Sequence, residues 1–424
     1  VTTDRTLLHD ALVIDTEPEP VARPHTDVLI EGDTIAAVGP DLPSAGATVI
    51  DCTDRIVLPG FVDTHRHTWQ AVLRGIAVDI DLGTYIDLVP RTLAQRFRPS
   101  DVYAGTLAGA LECLDAGVTT LFDFSHIQNT PEHTDAAVAA LRASGIRALF
   151  GYGYPFTGEA ADHLAGLRRA RRELFAEPAG LVTLAAAPHG PSYTPIEVVE
   201  QDWRHAREHG IRITVHIGRG PVAARPVEAL RERGLLGPDV TFVHGNDLAD
   251  DELRMIADTG GSMAVTPAVE AQMGHGAPTL GRLRAAGVTT GLGVDVVTTV
   301  AGDMFTLMRA ALLTSQLDGR PCTASDVLRL ATLDGAAAIG MADEVGSLRP
   351  GKRADVVLLR ADAVNLAGGR HDPIATVVTS AHPGNVDTVL VGGRPVKRDG
   401  LLLTADLAGA LTAAGASADR LAAA

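Results

Sequence analysis

Two histidines one residue apart, His65 and His67, stand in the stretch Pro59-Gly-Phe-Val-Asp-Thr-His-Arg-His67. In extended backbone, residues i and i+2 share a face. Both imidazoles can therefore address one metal ion while Arg66 points away. Neutral imidazole and carboxylate donors suit zinc, and also iron or manganese. Taken alone, the pair reads equally well as two exposed loop histidines. Three further residues tip the balance. His216 ends the apolar run Arg212–His216, His244 ends Val240–His244, and Asp295 ends Thr290–Asp295.

The elements that would position these residues follow from the hydrophobic pattern. From about residue 57 to 345, apolar strand-like runs alternate with helix-like stretches. The runs are 56–58, 119–123, 147–151, 182–186, 212–216, 240–244, 262–265 and 290–294. Helices are expected over 100–116, 134–144, 195–209, 250–259 and 303–316, the last capped by Asp303. Such alternation predicts a parallel (β/α) barrel over 58–345, with functional residues where strands end. Residues 1–57 and 346–424 are strand-rich, with a hairpin turn at Glu31-Gly-Asp33. These two segments are expected to pair into one small composite β-sandwich. The alanine-rich tail from Ala405 is helix-permissive.

With these motifs in place, the chain resembles the amidohydrolase superfamily, in the branch of triazine hydrolases and heterocycle or nucleoside deaminases. The resemblance rests on the His65–His67 stretch with Leu73-Arg-Gly75 after it. It continues through Ala187-Pro-His189-Gly-Pro, Thr214-Val-His216, Phe242-Val-His244-Gly, Gly291-Leu-Gly-Val-Asp295 and Val345-Gly-Ser-Leu-Arg-Pro-Gly-Lys-Arg-Ala-Asp355. It implies a (β/α)8 barrel of the TIM type with an appended β-sandwich. It also implies four metal ligands, His65, His67, His216 and Asp295. Asp295 would in addition take a proton from water activated by the metal, and His244 would donate to the developing oxyanion or leaving group.

Two features qualify the resemblance. Binuclear relatives bridge two metals with a barrel lysine, but this chain's two lysines are Lys352 and Lys397. One divalent ion, zinc or iron, is therefore expected. Deaminases of the branch carry His-x-x-Glu at the fifth strand, where this chain has His216-Ile-Gly-Arg219. Glu270, in Thr266-Pro-Ala-Val-Glu270, is the candidate replacement, paired with Arg219 or touching the substrate. Substrate contacts are expected from Trp69, by ring stacking or else as barrel-mouth packing, and from Gln70, His189 and Arg219. His126 could line the mouth. His163, His205, His209, His371 and His382 are expected at the surface.

Composition narrows the rest. A net charge of −16 disfavours nucleic acid. Three dispersed cysteines make no disulfide or zinc-ribbon framework. No apolar run is long enough for a membrane span. The opening Val1-Thr-Thr-Asp-Arg5 lacks a signal pattern, so a cytoplasmic location is expected. No nucleophile elbow or dinucleotide fingerprint is present. The expected function is metal-dependent hydrolysis of a non-peptide carbon–nitrogen bond on a small heterocycle, by deamination or removal of a ring substituent. The alternatives are a cyclic amide hydrolase or a non-hydrolytic lyase or isomerase. A homodimer or larger homo-oligomer is expected from the resemblance.

Overall fold

The computed structural model describes residues 5–158, 160–177, 180–403 and 406–423. Val1 to Asp4, part of the stretch read for a signal pattern, and Ala405, where the tail was read to begin, lie outside the described residues.

Eight parallel strands make the barrel. They are β6 (Phe61–Arg66), β7 (Val118–Ser125), β8 (Arg147–Gly153), β9 (Val182–Ala187), β10 (Arg212–Ile217), β11 (Val240–His244), β12 (Ser262–Val265) and β13 (Thr289–Leu292). Neighbours pair in chain order, each linked to the next through a helical connection. β7 and β8 are buried along their whole length. That is why they read as unbroken apolar runs rather than alternating ones. The helices have local causes too. Asp101 accepts from the Arg98 N–H at 2.8 Å, and Pro99 opens that helix. Asp303 caps its helix as expected, through the Thr306 N–H at 2.8 Å.

The terminal segments build a second sheet. Its strands are β1 (Arg5–Asp15), β2 (Val21–Glu31), β3 (Thr34–Gly39), β4 (Thr48–Asp51), β5 (Arg55–Pro59), β14 (Val356–Arg360), β15 (Val386–Val391), β16 (Arg394–Arg398) and β17 (Leu401–Leu402). The order is β17-β16-β15-β14-β5-β1-β2-β3, with β4 alongside β1. It has an apolar core of its own, including Leu8, Val28, Ile35, Val57, Val356 and Leu390. Both lysines serve this region. Buried Lys352 pairs with Glu17 at 2.7 Å, and Lys397 pairs with Asp115 at 2.7 Å. The tail forms the helix Leu407–Ala422, held to Asp101 by Arg420.

One element sits elsewhere than the pattern predicts. The run Ile56–Leu58, expected as the first barrel strand, lies in β5 and pairs with β1 and β14. β6 takes its place. Both runs are buried, so periodicity does not separate them. The break is Pro59-Gly60, where a side chain on Gly60 would meet Thr119 Oγ1 at 2.0 Å.

Candidate metal centre

His65 lies within β6 and His67 just past its end. His216 comes from β10 and His244 ends β11. Asp295 follows β13, bridged to Arg66 across the point where the barrel closes. Asp295 and His244 both adopt left-handed backbone, at φ 68° and 71°. Aspartate and histidine enter this region more readily than most side chains, and Asp10, His25, Asp41 and Asp399 do so away from the mouth. At Asp295 and His244 this backbone turns two strand-end side chains into the barrel mouth.

The donor atoms converge. His65 Nε2 lies 3.2 Å from His216 Nε2 and 3.5 Å from Asp295 Oδ1. His67 Nε2 lies 3.3 Å from the same oxygen. Ligands held tetrahedrally at the usual zinc–nitrogen distance of about 2.0–2.1 Å stand roughly 3.3–3.4 Å apart. The spacing therefore suits donors around one small ion. The His67 Nδ1 faces the Phe124 carbonyl at 2.7 Å. A proton on that nitrogen leaves Nε2 as the lone-pair donor, the usual support for a ligating histidine. Burial pushes His65 down to about 4. Burial, then the neighbouring His65, takes His216 well below the ordinary histidine value. Both favour the neutral form that ligation requires. Burial alone would raise Asp295, but hydrogen bonds from His65 and His67 outweigh it and hold the carboxyl well below its usual range.

His244 sits between two carboxylates. Its Nε2 is 3.8 Å from Asp295 Oδ2, and its Nδ1 is 3.4 Å from Glu270 Oε1. Burial works against its charge, yet the Glu270 hydrogen bond and both carboxylates raise it overall. Glu270 is buried on the short helix Pro267–Met273. It accepts from the Thr266 N–H at 2.8 Å and faces Asn246 Nδ2 at 3.3 Å. Among the described residues it makes no ion pair with Arg219, contrary to one expectation. Arg219 lies exposed on the loop after β10, its backbone N–H donating to Asp247 at 3.0 Å.

The remaining candidates divide. Gln70 is buried and exchanges hydrogen bonds with the Tyr85 hydroxyl, at 2.7 and 3.0 Å. Trp69 is fully buried, edge-on to Phe97 and His126. Its neighbours cover the ring, so it packs the barrel mouth and presents no open stacking face. His126 is buried beside His67, with ring centres 4.4 Å apart. His189, half-buried, holds the Tyr154 carbonyl at 3.1 Å and neighbours exposed Phe156. His163 and His205, expected at the surface, are buried. His163 packs on Tyr154 and His189 at the mouth, and His205 faces inward from its helix. His209, His371 and His382 are exposed as expected.

Sequence reasoning missed three residues of the site. Thr266 Oγ1 lies 3.2 Å from His244 Nδ1 and 3.4 Å from Asp295 Oδ2. It directly follows β12, so the strand-end rule that found the others would have found it. His275 lies edge-on to His244 at 4.6 Å, and its Nε2 is buried without a partner among the described residues. Tyr85 carries no sequence signal.

Residues 56–396 match the amidohydrolase family model. The chain is 31% identical to a 5-methylthioadenosine/S-adenosylhomocysteine deaminase of Symbiobacterium thermophilum, over 88% of each chain. It is also 31% identical to a 5'-deoxyadenosine deaminase of Methanothermobacter thermautotrophicus, over 88% of this chain and 90% of the relative. In fold it matches a zinc-bound adenosine deaminase of Xanthomonas campestris with a TM-score of 0.90, at 24% identity over 100% and 99% of the two chains. It matches the zinc complex of atrazine chlorohydrolase from Arthrobacter aurescens TC1 with a TM-score of 0.87, at 24% identity over 97% and 100%.

Proposed function

This chain belongs to the amidohydrolase family, and on that premise we propose that it hydrolytically removes an amino group or other substituent from a carbon of a small nitrogen heterocycle, at a site that holds one zinc ion. The observation that carries the reading is the convergence of His65, His67, His216 and Asp295 at ligand spacing beside His244. Those four residues would hold the ion, whose chemistry is to lower the pKa of a coordinated water towards about 7. A homo-oligomer and a cytoplasmic location belong to the same proposal.

The chain's own groups divide the proton work. Asp295 Oδ1 faces the imidazoles, which leaves Oδ2, toward Thr266 and His244, to take a proton from the attacking water. His244 is the donor to the leaving group, and Glu270 holds its ring and supports its positive charge. Arg219 gives no acid at the place where deaminase relatives carry Glu. The His244–Glu270 pair is therefore assigned the protonation of the departing group. Gln70, held by Tyr85, and His189 are substrate contacts, and adenosine-type rings are the first substrates to try.

Metal-stripped enzyme and enzyme reconstituted with zinc would be assayed on aminopurines, adenosine derivatives, aminopyrimidines, triazines and cyclic amides. Ammonia release that vanishes on stripping and returns with one equivalent of zinc is the expected result. Full activity in the stripped protein would sink the proposal. Product formed in oxygen-18 water without label would point instead to elimination.

A further inference from the structure

The barrel closes between β13 and β6, the two ends of its strand order. Three of the four proposed ligands, His65, His67 and Asp295, flank that seam. Two backbone hydrogen bonds tie the seam at the ligands: Asp295 N–H donates to the His65 carbonyl at 2.8 Å, and His67 N–H to the Asp295 carbonyl at 2.9 Å. Close approach is possible because β13 and its extension carry glycines facing β6. A side chain on Gly293 would lie 2.8 Å from His65 Cβ and its backbone nitrogen, and one on Gly291 would lie 2.4 Å from Thr64 Cγ2.

A side chain completes the closure. Asp63 is fully buried, and its Oδ1 accepts from two N–H groups, Val294 at 3.0 Å and His65 at 3.3 Å. One donor stands next to Asp295 in sequence and the other belongs to the first ligand. The charge on Asp63 is balanced by Arg66, also buried, with Nη1 3.5 Å from Oδ2. The guanidinium is held in turn by Glu112 at 2.5 Å and by the Gly302 carbonyl at 3.0 Å. Glu112 also pairs with Arg74 at 2.9 Å. The residue between the two histidines thus anchors the ligand strand from behind.

We propose that Asp63, Arg66 and Glu112 form a clasp across the barrel seam that sets the spacing of His65, His67 and Asp295, so that metal affinity depends on it. This rests on the ligand assignment above. The three are positioning residues, since they act through the ligands and touch neither ion nor substrate. Nearby partners that fix ligand orientation change metal affinity by about 10- to 100-fold when removed.

The test needs no substrate. Zinc affinity of metal-stripped full-length protein would be read by competition with a chelating dye, and ligand geometry by the visible spectrum of the cobalt form. Asp63→Ala is expected to weaken zinc by about 10- to 100-fold and to shift the cobalt spectrum, with the stripped protein still folded by circular dichroism. Asp63→Asn keeps the accepting oxygen but gives up the charge facing Arg66, so it should weaken zinc by about three- to tenfold, a partial rescue relative to Asp63→Ala that general destabilisation would not give. His216→Ala is the control. If it leaves affinity unchanged, the ligand assignment falls and the clasp with it. If it weakens binding while Asp63→Ala does not, the clasp alone is overturned. Should Asp63→Ala fail to fold, the partly exposed Glu112→Gln decides. Binding weakened by about three- to tenfold supports the clasp, and unchanged affinity and spectrum overturn it.

Discussion

The seam of the barrel mouth and the loops around the rest of it are built differently. On the seam side, His65, His67 and Asp295 sit at strand ends, almost wholly buried, tied by backbone bonds and backed by Asp63 and Arg66. Elsewhere around the mouth, on the connections after β9, β10 and β12, His189, Arg219, Glu270 and His275 ride on loops and one short helix, and Arg219 is exposed. Strand ends give fixed positions, as ligation to an ion requires. Loops tolerate replacement. The difference would explain how a chain can keep the proposed metal donors while carrying Arg219 where the resemblance implies a glutamate. It also predicts which substitutions abolish chemistry and which only redirect it.

The sharpest break would come on the seam side. Asp295→Ala removes a proposed ligand and the proton acceptor together, so ammonia release should fall by at least about 10³-fold. Metal analysis should show less than one equivalent of zinc. Retained metal with full turnover would dissolve the contrast between the two sides. Chelation of the parent enzyme should give a comparable loss, reversed by zinc.

On the loop side, Glu270→Gln should separate proton handling from metal binding. The amide cannot support a positive charge on His244 as the carboxylate does. We expect kcat to fall by about 10- to 100-fold with zinc content unchanged. Loss of zinc in this variant would move Glu270 to the ligand side of the comparison. Unchanged kcat would leave it a structural anchor for Thr266 and Asn246.

The same division governs what could be read from the sequence. Strand-end residues were legible because two periodicities coincide: an apolar run fixes the strand, and the polar residue ending it must face the mouth. His216, His244 and Asp295 came from that rule, and Thr266 obeys it. Ile56–Leu58 misled because two buried runs flank Pro59-Gly60 and hydrophobicity alone cannot assign one to each sheet. Loop geometry left less trace. Nothing in the spacing showed that Glu270 would turn toward His244 rather than Arg219, because the turn depends on Thr266 and Asn246 closing around the carboxylate. His163 and His205 were misplaced for a related reason. A histidine on an amphipathic helix can face either way, and the tertiary partner decides.

Arg219 offers a smaller test. Its side chain makes no ion pair among the described residues, and an ion pair formed by an exposed charge is worth at most about 1 kcal/mol. Arg219→Ala should therefore change kcat/KM by less than about tenfold, through KM, with zinc retained. His275→Phe is expected to act more strongly on neutral ring substrates. It removes a buried nitrogen that has no partner among the described residues, beside His244. Equal effects of the two variants on every substrate would mean that the loop side does not discriminate between rings.

The smallest effect bears on stability alone. Behind the loop wall, the Tyr154 hydroxyl donates to the buried Asp202 carboxylate at 2.7 Å. Burial pushes that carboxyl up from 3.8 to about 6. The folded form therefore holds a proton more tightly than the unfolded chain. Its contribution to stability is fully present below about pH 4 and is lost as pH rises through about 6. A rise of about two pKa units corresponds to at most roughly 3 kcal/mol. Asp202→Asn cannot ionise, so between pH 4 and 7.5 it should lose about 1–3 kcal/mol less than the parent in denaturant unfolding. The comparison of slopes cancels every other titrating group and any fixed cost of the buried amide. Zinc content and turnover at pH 7.5 should not change, because Asp202 touches the wall from outside and no proposed ligand. Parallel slopes would mean that Asp202 stays ionised in the fold, with a partner or water that stabilises its charge. A loss of zinc would mean that the wall and the seam are mechanically one.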